Sequence, residues 1–154
     1  MQRRPFLLAC LSAPGLAYAH HGWSSFDLDR PIWLAGRVVD ARWRNPHAEL
    51  VLEVPVGLKV PFDLATRTPP AQIAAVDGKA LLARAVVPVR PDRRWEIELA
   101  PLPRLHAWKV EPIVPGVSVE VLGFTFKDEK GDAVLRAEYL FVAGKAYGLR
   151  SAPV

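Results

Sequence analysis

Apolar and polar residues alternate with a period of two in several short segments of this chain, and this pattern restricts its fold more than any other feature. The segments are residues 48–54 (AELVLEV), 95–99 (WEIEL) and 117–126 (VSVEVLGFTF). Successive side chains of a β-strand point to opposite faces, so the Val, Ile and Phe side chains share one face while the acidic residues mostly share the other. The alternation predicts strands with one buried and one solvated face.

Further segments complete the predicted set of strands. Residues 32–43 are rich in β-branched and aromatic side chains and carry Gly36, where a long and curved strand can bulge or bend. The turn signal Asn45-Pro46 joins this strand to residues 48–54 as a hairpin. The remaining predicted elements are a turn at 127–131, a strand at 134–142 and a short tail strand at about 146–149.

The alternation breaks down between residues 55 and 94, which we expect to form an irregular insertion. A threonine and two prolines at 68–70 are typical of a helix start, and Asp-Gly at 77–78 of a helix end, which predicts a short helix at 70–76. The prolines after the strand at 95–99 permit at most one helical turn, near 102–108. We therefore predict an all-β fold, a small five- to six-stranded OB-like barrel with one short helix.

Size and charge exclude several classes of protein. The 154 residues suffice for one domain, and no apolar run reaches the ~18 residues that a membrane-spanning helix needs. The chain has 20 Lys and Arg against 16 Asp and Glu, but Arg3 and Arg4 lie in a segment that we expect to be removed. The small remaining excess of positive charge is too small to indicate nucleic acid or an anionic membrane as the partner.

Residues 1–19 have the three parts of an export signal, which are a basic start, an apolar stretch and small residues before the cut. We expect cleavage after Ala19, which leaves residues 20–154 as a single periplasmic or secreted domain. Arg3 and Arg4 resemble a twin-arginine signal, so either export route is open. Cys10 is the only cysteine, and too few apolar residues precede it for a lipoprotein signal. The mature chain then has no disulfide and no thiolate metal ligand.

Several motifs of the mature chain occur in one order. They are His20-His21-Gly22-Trp23 followed by Phe26-Asp27, the turn Trp43-x-Asn45-Pro46-His47, the segment 95–98 (WEIE) and the segment 115–123 (PGVSVEVLG). Over most of residues 20–142 this order resembles the small exported bacterial proteins grouped as domain of unknown function family 6152. The resemblance implies a compact periplasmic β-barrel and no particular activity. The stretch 55–94 departs from the family pattern.

Histidine provides the candidate chemistry. If cleavage follows Ala19, the α-amine and the imidazole of His20 lie on one residue and can together chelate a copper ion. Cu(II) favours nitrogen donors in a square or tetragonal arrangement, and His21 and His47 can supply more of them. His106 is a weaker fourth candidate. Imidazoles bind metal in the neutral form, so such a site should weaken below pH ~6.5.

Distance limits this metal site. The first strand spans ~40 Å, so its start and the turn that holds His47 lie at opposite ends. The 11 residues 20–30 can reach ~36 Å when extended, which is enough to run alongside the strand and bring His20 or His21 near His47. The alternative is that the tail is loose and that His47 only stabilises its own turn, in which case no metal is bound.

An enzyme is the least favoured class, because no nucleophile elbow, phosphate loop or dinucleotide fingerprint is present. Glu96 and Glu98 fall on one side of a strand, where acidic residues usually form a solvated face. The alternative to copper binding is a metal-free docking module for a protein or small ligand. Its contact regions would be the exposed turns, the stretch 55–94 and an aromatic and basic surface, although large aromatic side chains are more simply explained as core. That surface comprises Trp33, Trp43, Trp95, Trp108, Arg37, Arg42 and Arg44. We expect a monomer or a weakly associating protein.

Overall fold

A computed structural model describes residues 22–154 of the chain. The strands are β1 (Ile32–Arg42), β2 (Glu49–Glu53), β3 (Arg94–Glu98), β4 (Ser118–Phe124), β5 (Val134–Val142) and β6 (Lys145–Gly148). The helices are α1 (Gly78–Arg84) and α2 (Leu102–Ala107), with single 3₁₀ turns at Trp23–Ser25, Leu64–Thr66 and Lys127–Glu129. No helix within residues 22–154 is long and apolar enough to cross a membrane.

Five strands close into a barrel, which confirms the predicted fold class. The antiparallel order β3-β2-β1-β4-β5 is closed by a parallel pairing of β3 with β5, and β6 extends the sheet beyond β5. This is the strand order of an OB-type barrel, and α2 lies between β3 and β4 in the sequence, as in that fold. Closure leaves few unpaired strand edges, so a small domain without disulfides can be stabilised by its core.

The first strand has the predicted length and curvature. Its first half pairs with β4, from Ile32 opposite Gly123 to Arg37 opposite Ser118, and its second half pairs with β2. A bulge lies between Val38 and Asp40. Such a bulge bends a strand and increases its twist. The two halves of β1 can therefore pair with different strands, β4 and β2.

The apolar side chains form two separate cores. The interior of the barrel holds one, which includes Trp95 and Ile97, both completely buried. The second lies on the outer surface around Trp33, Leu64 and Leu82, where the stretch between β2 and β3 packs against the sheet. The irregular insertion at 55–94 is therefore a packed cover for an outer face of the barrel.

The helix predicted at 70–76 is wrong. Gln72 forms an isolated bridge with Pro153, residues 73–74 form a bend, and the Ile73 N–H donates to the Ala152 carbonyl. The helix in this region is α1, and Asp77 begins it, since its carboxylate accepts a hydrogen bond of 3.0 Å from the Ala80 N–H. Asp-Gly is thus an N-terminal signal here and not a stop. The helical turn predicted near 102–108 is present as α2, so the described residues hold two short helices where we predicted one.

A buried carboxylate connects the insertion to the loop before β5. The side chain of Glu129 is 2% exposed, is paired with Arg30 and accepts hydrogen bonds from the N–H groups of Val89 and Arg90. The Arg90 guanidinium donates to three carbonyls of residues 129–132, so this arginine also connects the insertion to the loop before β5. Burial acts to raise the pKa of Glu129, but these donors outweigh it and hold the pKa below its usual value.

Low pH should weaken the contacts between Glu129 and the insertion. A carboxyl group whose pKa is lower in the folded than in the unfolded protein stabilises the fold above the unfolded pKa of about 4.3 and loses that contribution as pH falls through the folded value. We expect Glu129→Gln to lower the free energy of unfolding by about 2 kcal/mol at pH 7, because charged acceptors make the stronger hydrogen bonds. Urea unfolding of both proteins at intervals between pH 7 and pH 2 should show this difference shrinking below pH 4.5. A difference that is constant over the whole range would contradict the assignment.

Candidate functional site

His47 lies in the turn between β1 and β2, after a cis Asn45–Pro46 peptide bond, and its side chain is 8% exposed. The backbone of the next residue, Ala48, makes two hydrogen bonds to the segment that follows β3. Its N–H donates to the Ala100 carbonyl, and its carbonyl accepts from the Leu99 N–H. The imidazole Nδ1 lies 3.8 Å from a carboxylate oxygen of Glu49. The turn therefore holds the imidazole against the barrel next to an acidic side chain.

A row of paired residues leads from this turn around the outer surface of the barrel. Arg42 is opposite Glu49, Glu49 opposite Glu98, Glu98 opposite Arg136, and Arg136 opposite Phe124. We call these five residues the rim row. Salt bridges reinforce it, with N–O distances of 3.3 Å in the first pair and 3.1 Å in the third.

The rim row crosses all five strands of the barrel. It begins at Arg42, the last residue of β1, and ends at Phe124, whose chain neighbour Gly123 is opposite Ile32, the first residue of β1. The row thus passes once around the barrel, from the end of β1 to the strand that pairs with its start. The chain before β1 does not need to run back along that strand to approach the rim row.

Trp23 shows where this chain segment lies. Its ring centroid is 4.8 Å from the guanidinium carbon of Arg136, 3.8 Å from that of Arg150, and 6.3 Å from the ring of Phe124 in an edge-on arrangement. Two members of the rim row therefore contact the first aromatic side chain of the described residues.

The acidic side chains near His47 are less solvated than their alternation predicts. Glu98 is only 5% exposed, because it pairs with the Arg136 guanidinium. Burial and the nearby carboxylate of Glu49 raise the pKa of Glu96, partly offset by Arg42. The outer face of β2 and β3 is thus rich in carboxylates, and such a face repels the phosphates that OB barrels often bind.

The structure describes only some of the residues that we predicted as metal ligands. His20 and His21 lie outside the described residues, and His47 is buried beside the rim row. His106 is on the exposed side of α2. Among residues 22–154, no three His, Cys, Asp or Glu side chains are grouped so that they could hold a metal ion.

The four tryptophans of the predicted aromatic and basic surface do not form an exposed surface. Trp33 and Trp95 are completely buried in the two cores, and Trp43 and Trp108 are half-buried against the barrel interior. This confirms the simpler interpretation of these side chains as core. Arg42 is engaged with Glu49 and is not available for stacking on a ligand.

A groove of about 710 Å³ lies on another outer face, between the insertion and the β5–β6 hairpin. Its floor includes Ala35 and Phe141, and Asp63 and Arg67 line its side. The Arg67 guanidinium lies over the rings of Trp33 and Phe141, at 5.4 and 5.5 Å, and is paired with Asp63 and Glu120. The groove combines an apolar floor with a few fixed charges, as ligand sites commonly do.

Sequence reasoning did not find the contacts around Trp23. Arg136 and Glu138 lie within the strand predicted at 134–142, and Arg150 follows the tail strand predicted at about 146–149. The alternation of 134–142 puts Arg136 and Glu138 on the outer face, but it says nothing about which strand lies beside them. The parallel pairing of β3 with β5 decides that Glu98 meets Arg136.

The comparison with known families agrees with the resemblance seen in the motifs. A family of unknown function (DUF6152) matches residues 7–59, a range that includes His20, His21 and the Asn-Pro-His turn. The match ends inside the insertion, where the chain departs from the family pattern. No curated protein and no solved structure matches this chain.

Proposed function

We propose that this protein is exported, loses residues 1–19, and binds Cu(II) in the periplasm through His20, His21 and His47. The observation that carries the proposal is the contact of Trp23 with Arg136, because it puts the start of the described chain on the same rim row as Glu49. His47 is next to that row, 3.8 Å from Glu49. The proposed ligands thus come from two segments that approach one another on one face of the barrel.

The distances involved are short. Neighbouring strands are about 4.8 Å apart, so Arg136 on β5 and Glu49 on β2, with β3 between them, are separated by about 10 Å. Three residues of extended chain also span about 10 Å, which is the reach from Trp23 to His20. This part of the proposal requires residues 20 and 21 to extend from Trp23 across β3 toward the turn that holds His47.

The donor set suits copper. The α-amine and imidazole of His20 together with one or two further imidazoles make a nitrogen-rich set with no thiolate, which Cu(II) prefers in a tetragonal arrangement. A carboxylate near the second ring nitrogen is a common partner of a metal-binding histidine, since it orients the ring and raises its basicity. Glu49 lies 3.8 Å from Nδ1 of His47, and both ring nitrogens are buried, so the proposed copper site requires this imidazole to turn outward from the barrel.

Copper titration of the mature protein tests the proposal. We expect His47→Ala to weaken Cu(II) affinity by about tenfold or more, and one extra residue before His20 to do the same, because each change removes a nitrogen ligand. Competition titration gives the affinities, and electron paramagnetic resonance of the copper-loaded protein gives the number of coordinated nitrogens. Mass spectrometry first establishes that the mature chain begins at His20.

His106→Ala is the matched control, because this histidine is exposed on α2. It should leave both the affinity and the spectrum unchanged. Equal affinities for the wild type and His47→Ala would contradict a site shared between the chain end and the turn. Retained affinity in the extended protein would exclude the α-amine as a ligand.

A metal-free docking module is the second candidate, and the groove beside Arg67 favours it. Residues of the insertion form one side of this groove. A protein or small ligand with an apolar surface fits its floor. The same titration separates the two candidates, since a protein that takes up no copper with nitrogen coordination leaves the groove as the better supported site.

A further inference from the structure

We infer that the groove between the insertion and the β5–β6 hairpin binds a peptide of about three residues that has free termini and apolar side chains. The inference rests on the second candidate function, for which it names a ligand, and it does not depend on the proposed copper site. Three features of the groove select this ligand. They are a partly apolar floor, an excess of negative charge on one side and an unpaired lysine on the other.

The floor of the groove is a row of paired residues that crosses four strands. Ala35 on β1 is opposite Glu120 on β4. Phe141 on β5 is opposite Glu120 on one side and opposite Ala146 on β6 on the other. Paired residues share one face of a sheet, and all four of these residues line the groove. The small side chains of Ala35 and Ala146 leave room for a ligand at both ends of the row.

The insertion side of the groove has an excess of one negative charge. The Arg67 guanidinium donates from Nε to Asp63 at 3.0 Å and from Nη1 to Glu120 at 2.6 Å, so one cation is shared between two carboxylates. The side chains of Asp63 and Glu120 are 44% and 37% exposed. Hydrogen bonding to Arg67 lowers the pKa of Asp63, which keeps this carboxyl group ionised at neutral pH. An ammonium group of a ligand can therefore approach these carboxylates from solvent.

The hairpin side of the groove carries a positive charge. Lys145, the first residue of β6, is exposed and makes no ion pair with any of residues 22–154. Its flexible four-carbon side chain can move toward a carboxylate of a ligand. The groove thus presents opposite charges at its two sides, and a ligand with one charge of each sign complements them.

The separation of these charges favours a peptide over a free amino acid. Glu120 is on β4 and Lys145 is on β6, with β5 between them, so their backbones are about 10 Å apart. A tripeptide in the extended form has about this length, whereas an amino acid carries both charges on one carbon. Thr68 and Ser118 also line the groove, and their hydroxyl groups can donate to and accept from a peptide backbone. The groove volume of about 710 Å³ is in the range of small-ligand sites.

Titration of the purified protein with the tripeptide alanyl-phenylalanyl-alanine tests this inference. We expect binding to shift the backbone amide resonances of residues 118–120 and 141–146 in NMR spectra. Acetylation of the amino terminus and amidation of the carboxyl terminus should each weaken the affinity by about fivefold, the effect of one partly exposed ion pair. This comparison uses only the wild-type protein, so it does not depend on the folding of a variant.

Lys145→Gln tests the positive side of the groove. It should weaken binding of the free tripeptide by about fivefold and leave binding of the amidated tripeptide unchanged, because both changes remove the same ion pair. Lys79→Gln is the matched control, since Lys79 is exposed on α1 and does not line the groove. It should leave every affinity unchanged.

Three outcomes overturn the inference. Equal affinities for the free and the capped tripeptides would mean that the groove does not recognise the termini. If the tripeptide shifts no resonance of the groove residues, the groove is not its site. A loss in Lys145→Gln that persists with the amidated tripeptide would mean that this lysine does not pair with the carboxylate. Copper titration is a separate measurement, so failure of the proposed copper site leaves each of these results interpretable.

Discussion

Gly36→Ala should lower the free energy of unfolding by about 3 kcal/mol, because this position has no room for a side chain. A Cβ atom at residue 36 would overlap the carbonyl oxygen of Glu53 and lie 2.9 Å from its carbonyl carbon. These are backbone atoms of a paired strand, so they cannot rotate away. Residue 36 is also opposite Val119 on β4, at the place where β1 passes from one side of the barrel to the other. Urea unfolding at pH 7 measures the effect.

Gly22→Ala is the matched control for that substitution. The backbone at Gly22 is extended, with φ of −69°, and the nearest atom to an added Cβ is the Ser24 hydroxyl oxygen at 3.8 Å. Replacing glycine at such a position is neutral or slightly stabilising, because it reduces the freedom of the unfolded chain. Equal stability of the two variants would show that β1 does not pass as close to β2 as described.

Glu138→Gln should lower the free energy of unfolding by about 3 kcal/mol, because it leaves the guanidinium of Arg150 without its charged partner. Breaking a buried ion pair from one side typically costs 3–5 kcal/mol, and the quarter exposure of the Arg150 side chain moves the expected value to the lower end. The Gln72 amide, which donates to the same carboxylate at 2.9 Å, would also have to adjust. Thermal and urea unfolding at pH 7 both report this loss.

Glu53→Gln removes the same charge at the surface and serves as the comparison. Glu53 and Arg93 approach at 3.4 Å, but both side chains are about half exposed, so this pair should contribute at most about 1 kcal/mol. A loss in Glu138→Gln no greater than that in Glu53→Gln would rule out an energetically important pair beneath Trp23.

Part of the candidate site could be predicted from the sequence. Asn45-Pro46 predicts the turn, and the turn determines that His47 follows the first strand directly. The residues near His47 could not be predicted from the sequence. Glu98 and Arg136 are distant in sequence and meet only through the pairing of β2, β3 and β5. Local patterns do not contain strand order, so the rim row could not be derived from them.

The insertion was the least predictable part for a related reason. Asp-Gly at 77–78 is compatible with either end of a helix, and the choice depends on residues 72–74, which pair with the C-terminal segment. Thr68-Pro69-Pro70 is equally compatible with an extended chain. Tertiary contacts selected between local conformations of similar energy, as they commonly do where propensities are weak.

The sequence by itself determined the strands, the all-β class and the barrel type, because the period-two burial pattern is a local property of each strand. Only the tertiary structure decided that Glu98 meets Arg136, that Trp23 lies on Arg136 and that the insertion covers a second core. These features depend on closing the sheet, which joins residues far apart in the chain through backbone pairing. Closure is a property of all five strands together, and no single segment encodes it.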